Sequence, residues 1–161
     1  MPATKLKEFL NKENVKFVSI THSVAYTAQE IAWITHTPGK ELAKTVMIKI
    51  DDILAMAVLP ASYHVDLSRL KAAAGASAIA VATEREFRSQ FPDCETGAMP
   101  PFGNLYKMTV YVDESLSADK EIAFNAGTHR ELIRIAYDDF NRLVHPVVCS
   151  FAAGSVVSAI A

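Results

Sequence analysis

The chain of 161 residues lacks most of what builds special-purpose scaffolds. Its two cysteines, Cys94 and Cys149, are too few for a disulfide framework, and neither falls in a Cys-x-x-Cys or Cys/His spacing suited to structural zinc. A reducing, cytoplasmic setting is expected. Six glycines and seven prolines beside 50% hydrophobic residues are too few breakers in too apolar a chain for intrinsic disorder. No run approaches the roughly 18 apolar residues of a membrane-spanning helix, and Met1 to Leu10 carries charges where a secretory leader needs an apolar core. The expected protein is neither secreted nor membrane-embedded. Positive charge is not in excess either: 16 Lys and Arg against 18 Asp and Glu give a net charge of −2. That balance excludes gripping nucleic acid by counterion release alone, so any such contact must be local, with Lys40, Lys44, Lys49 and Arg130 as the candidate patch.

What is present reads as one domain over 1–161, long enough to bury roughly 70% of its unfolded surface. Thr4 caps a first helix whose Leu6, Phe9 and Leu10 share a face, and Val15 to Ile20 follows as a strand. Thr27 to Glu30 matches a capping box and opens a second helix that Thr37-Pro38-Gly39 stops near His36. Thr45 to Ile50 and Ile53 to Leu59 are β-type runs around Asp51-Asp52, the pattern of an antiparallel hairpin. Asp66 caps a helix that Gly75 ends; Ala78 to Ala82 is a strand; Thr83 to Glu86 is a second capping box, opening a helix that carries Phe87 and Phe91. Gly97 to Asn104 holds two glycines and two prolines and must be a shaped loop. Met108 to Val112, Ile122 to Asn125 and Glu131 to Ala136 are further strands, followed by a helix over Asp138 to Leu143 with Asp138 as cap. The apolar segment Val147 to Ala161 is either a docked tail or, if exposed, a homodimer surface. The class is α+β with a mixed, largely antiparallel sheet.

Several chemistries find no support. The five histidines include no His-x-x-x-His pair, so no metal site and no cofactor is expected. A Gly-x-Ser-x-Gly elbow is absent, which disfavours a serine nucleophile. Nothing near Cys94 supplies a lowered thiol pKa. Three stretches resist a purely structural reading: Lys44 at the start of an apolar strand, the rigid Gly97 to Gly103 loop, and Asn125-Ala126-Gly127-Thr128-His129, a glycine turn with a titratable residue at its exit. A cation, a preshaped backbone loop and a histidine are the parts that an anionic or carbonyl-bearing ligand needs.

At these residues the sequence resembles the YbaK/EbsC family, which includes the editing insertion of bacterial prolyl-tRNA synthetases. The resemblance rests on Ala43-Lys44-Thr45-Val46, on Gly97-Ala98-Met99-Pro100-Pro101-Phe102-Gly103, on Asn125 to Ile133, and on the early Thr21-His22-Ser23 and Thr27 to Ala32 segments. It implies a curved mixed sheet forming a partly open barrel flanked by helices, and trans-acting hydrolysis of mischarged tRNA, with tRNA for proline as the expected substrate and prolyl-tRNA synthetase as a further partner. It assigns Lys44, Gly97, Pro100 and Pro101 to catalysis, and His22, Gly127 and His129 to binding the acceptor end. It also implies that a ribose hydroxyl of the tRNA assists the attacking water. Pro100-Pro101 followed by Phe102-Gly103 departs from the Gly-Gly-x-Ser-Pro form of the YbaK branch, which leaves the amino acid open. The competing reading is a module that binds a nucleotide or aminoacyl-tRNA without turning it over.

Overall fold

A hairpin with an acidic turn supplies two of the inner strands of the larger sheet, and the other elements are placed around it. The computed structural model describes residues 4–24 and 28–154. Helix α1 (Thr4–Lys12), strand β1 (Phe17–Thr21) and helix α2 (Ala28–Thr35) lead to the hairpin strands β2 (Ala43–Ile50) and β3 (Ile53–Pro60). The capping box expected from Thr27 lies outside the described residues. Asp51 and Asp52 take φ of 48° and 67°, the left-handed pair that a two-residue hairpin turn needs. Asp51 Oδ1 also accepts the Ser77 and Ala78 amides at 2.9 Å each, tying the turn to the next strand.

Strand β4 (His64–Val65), helix α3 (Leu67–Ala74), strand β5 (Ile79–Val81) and helix α4 (Glu84–Phe87) follow. Asp66 caps α3 by accepting the Arg69 amide, and the Thr83 capping box is formed as expected. The helix expected to run through Phe91 is instead one α-turn followed by a tighter turn over Arg88–Gln90; Phe87 and Phe91 are buried all the same. The rest is strand β6 (Val110–Asp113), helix α5 (Glu114–Ser117), strands β7 (Glu121–Asn125) and β8 (Glu131–Ala136), helix α6 (Tyr137–Val144) and strands β9 (Val147–Cys149) and β10 (Ala152–Ala153). Asp138 does not cap α6. Ala136 holds the cap position without a side-chain bond, and Asp138 sits in the first turn, where its charge suits the helix dipole.

Among the described residues the strands form three sheets: β5-β2-β3-β6-β9, antiparallel on the β5 side of β3 and parallel beyond it; antiparallel β1-β8-β7; and the pair β10-β4. The expected architecture of mixed and antiparallel sheets with helices is present. The expected barrel is not, because the two large sheets meet only through a single parallel bridge between Leu42 and Ala123 instead of a continuous ladder. Strand β3 shows why its sequence is an unbroken apolar run. Met56 and Val58 face the main core, Ala55, Ala57 and Leu59 face a second one, and a strand buried on both faces has no polar side to alternate with. In the main core Phe102 is fully buried, with ring centroids 5.6 Å from Phe124 and 5.7 Å from Phe140.

The start of the apolar C-terminal segment is docked. Phe151 is fully buried, and Asp113 Oδ1 accepts the Phe151 and Ala152 amides at 2.8 Å each. Residues 155–161 lie outside the described residues.

Candidate active site

The first cavity of interest lies where the two large sheets meet, at the Leu42–Ala123 bridge. It has a volume of about 270 Å³ and is lined by Ile31, Leu42, Ala43, Lys44, Thr45, Ala61, Gly97, Asn125 and His129. Four separate stretches of chain supply its polar wall and its loop. Lys44 and Thr45 come from the first residues of β2, Gly97 from the long loop, Asn125 from the last position of β7 and His129 from the turn that follows. The bridge places the start of β2 beside β7, so residues some eighty positions apart become neighbours. Ile31 on α2, with Leu42 and Ala61, forms the apolar side.

The glycine/proline loop is held in shape by the turn at Gly127. The Glu95 amide donates to Gly127 O at 2.8 Å, and the Gly127 amide donates to Ala98 O at 2.8 Å. The Glu95 carboxylate accepts the His129 amide at 2.6 Å, and the His129 Nε2–H donates to Thr96 O at 3.0 Å. Gly97 and Gly127 have φ of 86° and 90°, a conformation that L side chains rarely take. A Cβ on Gly97 would also lie 3.6 Å from the His129 ring. Two loops far apart in sequence thus form one rigid rim, and its shape is set before any ligand arrives.

Lys44 is half-buried, and burial lowers the pKa of its ammonium below the ordinary 10.5. It makes no ion pair among the described residues. A desolvated cation without a carboxylate is poised to take an anionic or strongly polar group from outside the chain. Asn125 Oδ1 is likewise buried without a hydrogen-bond partner. Among the described residues no carboxylate, serine or cysteine lines the cavity, and the Thr45 hydroxyl has no carboxylate beside it in the lining to act as base, so water fits the nucleophile's place better.

The structure brings together three of the residues read from the sequence, Lys44, Gly97 and His129. It places the others behind them. Gly127 is buried and latches the loop through its peptide groups. Pro100 and Pro101 are buried, do not line the cavity, and carry the chain from the rim into the core at Phe102. His22 is buried too; its backbone amide donates to Arg130 O at 2.8 Å and its Nδ1–H to Ser23 O at 2.7 Å, and it does not line the cavity. Of the basic patch, Lys49 is excluded, since it forms an ion pair with Glu86 at the far end of β2. Thr45 and Asn125 were missed as site residues. Both lay inside quoted segments, and a polar residue closing an apolar strand before a glycine turn was the available signal for Asn125.

A cleft at a sheet junction, with a half-buried cation and a preorganised backbone rim, defines the class as a small α+β domain with a site suited to an anionic or carbonyl-bearing ligand. The comparisons with known proteins give the particular family. The aminoacyl-tRNA editing domain family matches residues 22–143, and the chain belongs to it. It is thereby an aminoacyl-tRNA deacylase in class. It is 27% identical over 152 residues to the multifunctional Ser/Thr-tRNA deacylase ProXp-y of Escherichia coli (strain K12), covering 91% of this chain and 90% of that protein. It is 24% identical over 140 residues to the proline–tRNA ligase of Macrococcus caseolyticus (strain JCSC5402), covering 81% of this chain but 24% of the ligase. Among solved structures, a candidate trans-editing enzyme for prolyl tRNA synthetase superposes with a TM-score of 0.81 at 22% identity, over 95% of this chain and 98% of that one. No helix among the described residues is long and apolar enough to cross a membrane.

Proposed function

We propose that the protein acts in trans to hydrolyse the ester joining a wrongly attached small amino acid to the terminal adenosine of a tRNA, with tRNA for proline as the first candidate. The observation that carries this reading is the convergence of Lys44, Gly97, Asn125 and His129 on one cavity. In the reaction the oxygen of water adds to the ester carbonyl, the bond from carbonyl carbon to ribose oxygen breaks, and the ribose hydroxyl leaves with a proton. Lys44 provides the charge that stabilises the carbonyl oxygen as it becomes negative, or holds the adjoining phosphate. The amide of Gly97, which donates to no backbone acceptor among the described residues, is the neighbouring backbone donor on the rim. His129 is fixed by the loop it helps to hold, so it positions the ribose without swinging. No general base among the lining residues is required if a ribose hydroxyl of the substrate orients the water, as the family resemblance implies. Pro100, Pro101 and Gly127 act by keeping the rim rigid, and His22 by supporting the turn at Arg130.

The cavity lies at the small end of ligand sites, which favours a small amino acid over an aromatic one. Its wall offers Thr45 and Asn125 to a hydroxyl and Ile31, Leu42 and Ala61 to a methyl group. The Ser/Thr-tRNA deacylase name of the Escherichia coli relative supports the first match, and the ligase relative supports tRNA for proline. A panel crossing alanyl, seryl, threonyl and cysteinyl esters with tRNA for proline and several other tRNAs tests both halves. Loss of the ester on at least one small-residue tRNA, with prolyl-tRNA spared, is expected. Stoichiometric protection of every ester without hydrolysis would replace this reading with that of a binding module. Adding prolyl-tRNA synthetase to the assay shows whether it acts as a partner, and a concentration series in size-exclusion chromatography tests the homodimer.

A further inference from the structure

A second cavity, of about 540 Å³, adjoins the first. The two share a wall: the Ala61 amide donates to Leu42 O at 2.8 Å, Leu42 and Ala61 line the first cavity, and their neighbours Lys40, Pro60 and Ser62 line the second. Hydrogen-bonded backbones lie only about 4.8 Å apart, so the wall is thin enough for a ligand of nucleotide size to extend over its edge from one cavity into the other. The remaining lining includes Tyr63, Ser115 and Asp119. Tyr63 stands at the end of a turn closed by its amide on Pro60 O at 3.0 Å, and it is 38% exposed, a flat aromatic face offered to the cavity mouth. Asp119 Oδ2 is buried and has no hydrogen-bond donor. Burial disfavours the charge of this carboxylate, and Lys40 is the cation that offsets the effect. A buried acceptor left without a donor is costly, and no donor for it is present among the described residues, so a ligand that supplies one is favoured here.

We infer that the second cavity is a nucleobase subsite for the acceptor end, in which the base stacks on Tyr63 and its exocyclic amino group donates to Asp119. This rests on the proposed function, which puts the aminoacyl ester next door. Aromatic stacking with hydrogen bonds to base edges is how proteins read unpaired RNA, and a carboxylate suits an amino-bearing base while rejecting uracil. The two nucleotides closest to the ester, adenosine and the cytidine before it, both carry that amino group. Lys40 is placed to meet the intervening phosphate.

The test is binding of a fluorescent acceptor-stem minihelix ending in CCA, compared with one ending in CUA and one whose terminal adenine is replaced by purine, which lacks the amino group. One of the two altered ends is expected to bind the unmodified protein roughly tenfold or more weakly, and which one identifies the base. Asp119→Asn is expected to remove that discrimination. Tyr63→Ala weakens all three ends about tenfold, and Tyr63→Phe restores them. Equal binding of all three ends by the unmodified protein, or CCA binding unaffected by Asp119→Asn and Tyr63→Ala, would overturn the subsite. Because the readout is binding, it is independent of whether the protein hydrolyses mischarged tRNA, which the deacylation panel decides separately.

Discussion

Lys44 and Lys49 leave the same strand five positions apart, on opposite faces, and they are in opposite electrostatic states. Lys49 has a partner: the hydrogen bond and charge of Glu86 raise its pKa, while the hydrogen bond from Lys49, helped by those from Thr83, depresses the Glu86 carboxyl to about 2. Lys44 has none among the described residues, and burial alone lowers its pKa. A partnered surface lysine has its field neutralised and screened within a few ångströms. An unpartnered, half-buried one retains its field for a ligand, at a standing cost in stability. What separates a functional cation from a structural one on this strand is the carboxylate at one end and its absence at the other.

Alanine substitution at both positions gives the sharpest contrast. Lys44→Ala is expected to lower single-turnover deacylation of a mischarged tRNA by on the order of a hundredfold or more, as for loss of one transition-state contact, with the melting temperature unchanged or raised. Lys49→Ala is expected to stay within about twofold of the parent rate. Equal losses at the two positions would end the comparison.

The pH dependence sharpens it further. Because kcat/KM follows the ionisation of the free enzyme, activity above the background hydrolysis of the ester should fall on the alkaline side with an apparent pKa below 10.5. Lys44→Arg keeps its charge over that range, so its residual activity should show no alkaline loss. The sign for stability is the reverse. Folding disfavours the protonated form of Lys44, so the stability lost at neutral pH returns as pH rises through the lowered value toward 10.5. Gly97→Ala probes the other side of the cavity. A φ of 86° strains any L residue, so the variant should lose about 1–2 kcal/mol in chemical denaturation and roughly tenfold in rate as the rim shifts away from Lys44.

The contrast between the lysines was only half legible in the sequence. Lys44, Gly97 and His129 could be singled out because each sits in a short segment where packing alone explains too little. Lys49 stands in the candidate basic patch on its charge alone, since nothing in the order of residues shows that Glu86 will stand beside it. Local elements were readable for a local reason: the Asp51-Asp52 turn, the Asp66 and Thr83 caps and the Gly75 stop are all decided within a few residues. Non-local pairings were not. The parallel registers of β3 with β6 and of β6 with β9, and the bridge from Leu42 to Ala123 that assembles the site, depend on contacts that no window of sequence contains. Nothing in the sequence sets Ile31, Leu42 and Ala61 apart from core residues, because the apolar floor of a cavity is chemically identical to core until the fold leaves space above it. Pro100 and Pro101 brace the rim from behind, where the chain turns into the core at Phe102, and their stiffness alone does not reveal that they stand outside the cavity lining.

The smallest effect concerns Glu86, and it tests whether the neutralised lysine is truly out of play. Glu86→Gln frees the Lys49 charge while leaving a side-chain oxygen to accept the Thr83 amide, so the α4 cap is preserved. With its pKa depressed to about 2 from the ordinary 4.5, Glu86 contributes stability that is complete above pH 4.5 and lost as pH falls toward 2. The stability curves of parent and variant should therefore run parallel above pH 4.5 and converge in acid, and their separation should shrink in concentrated salt because both partners are partly open to solvent. Deacylation should remain within twofold of the parent. A rise in activity or in tRNA affinity on freeing Lys49 would show that cations on either face of β2 can serve the substrate, and that position at the sheet junction matters less than the absence of a carboxylate.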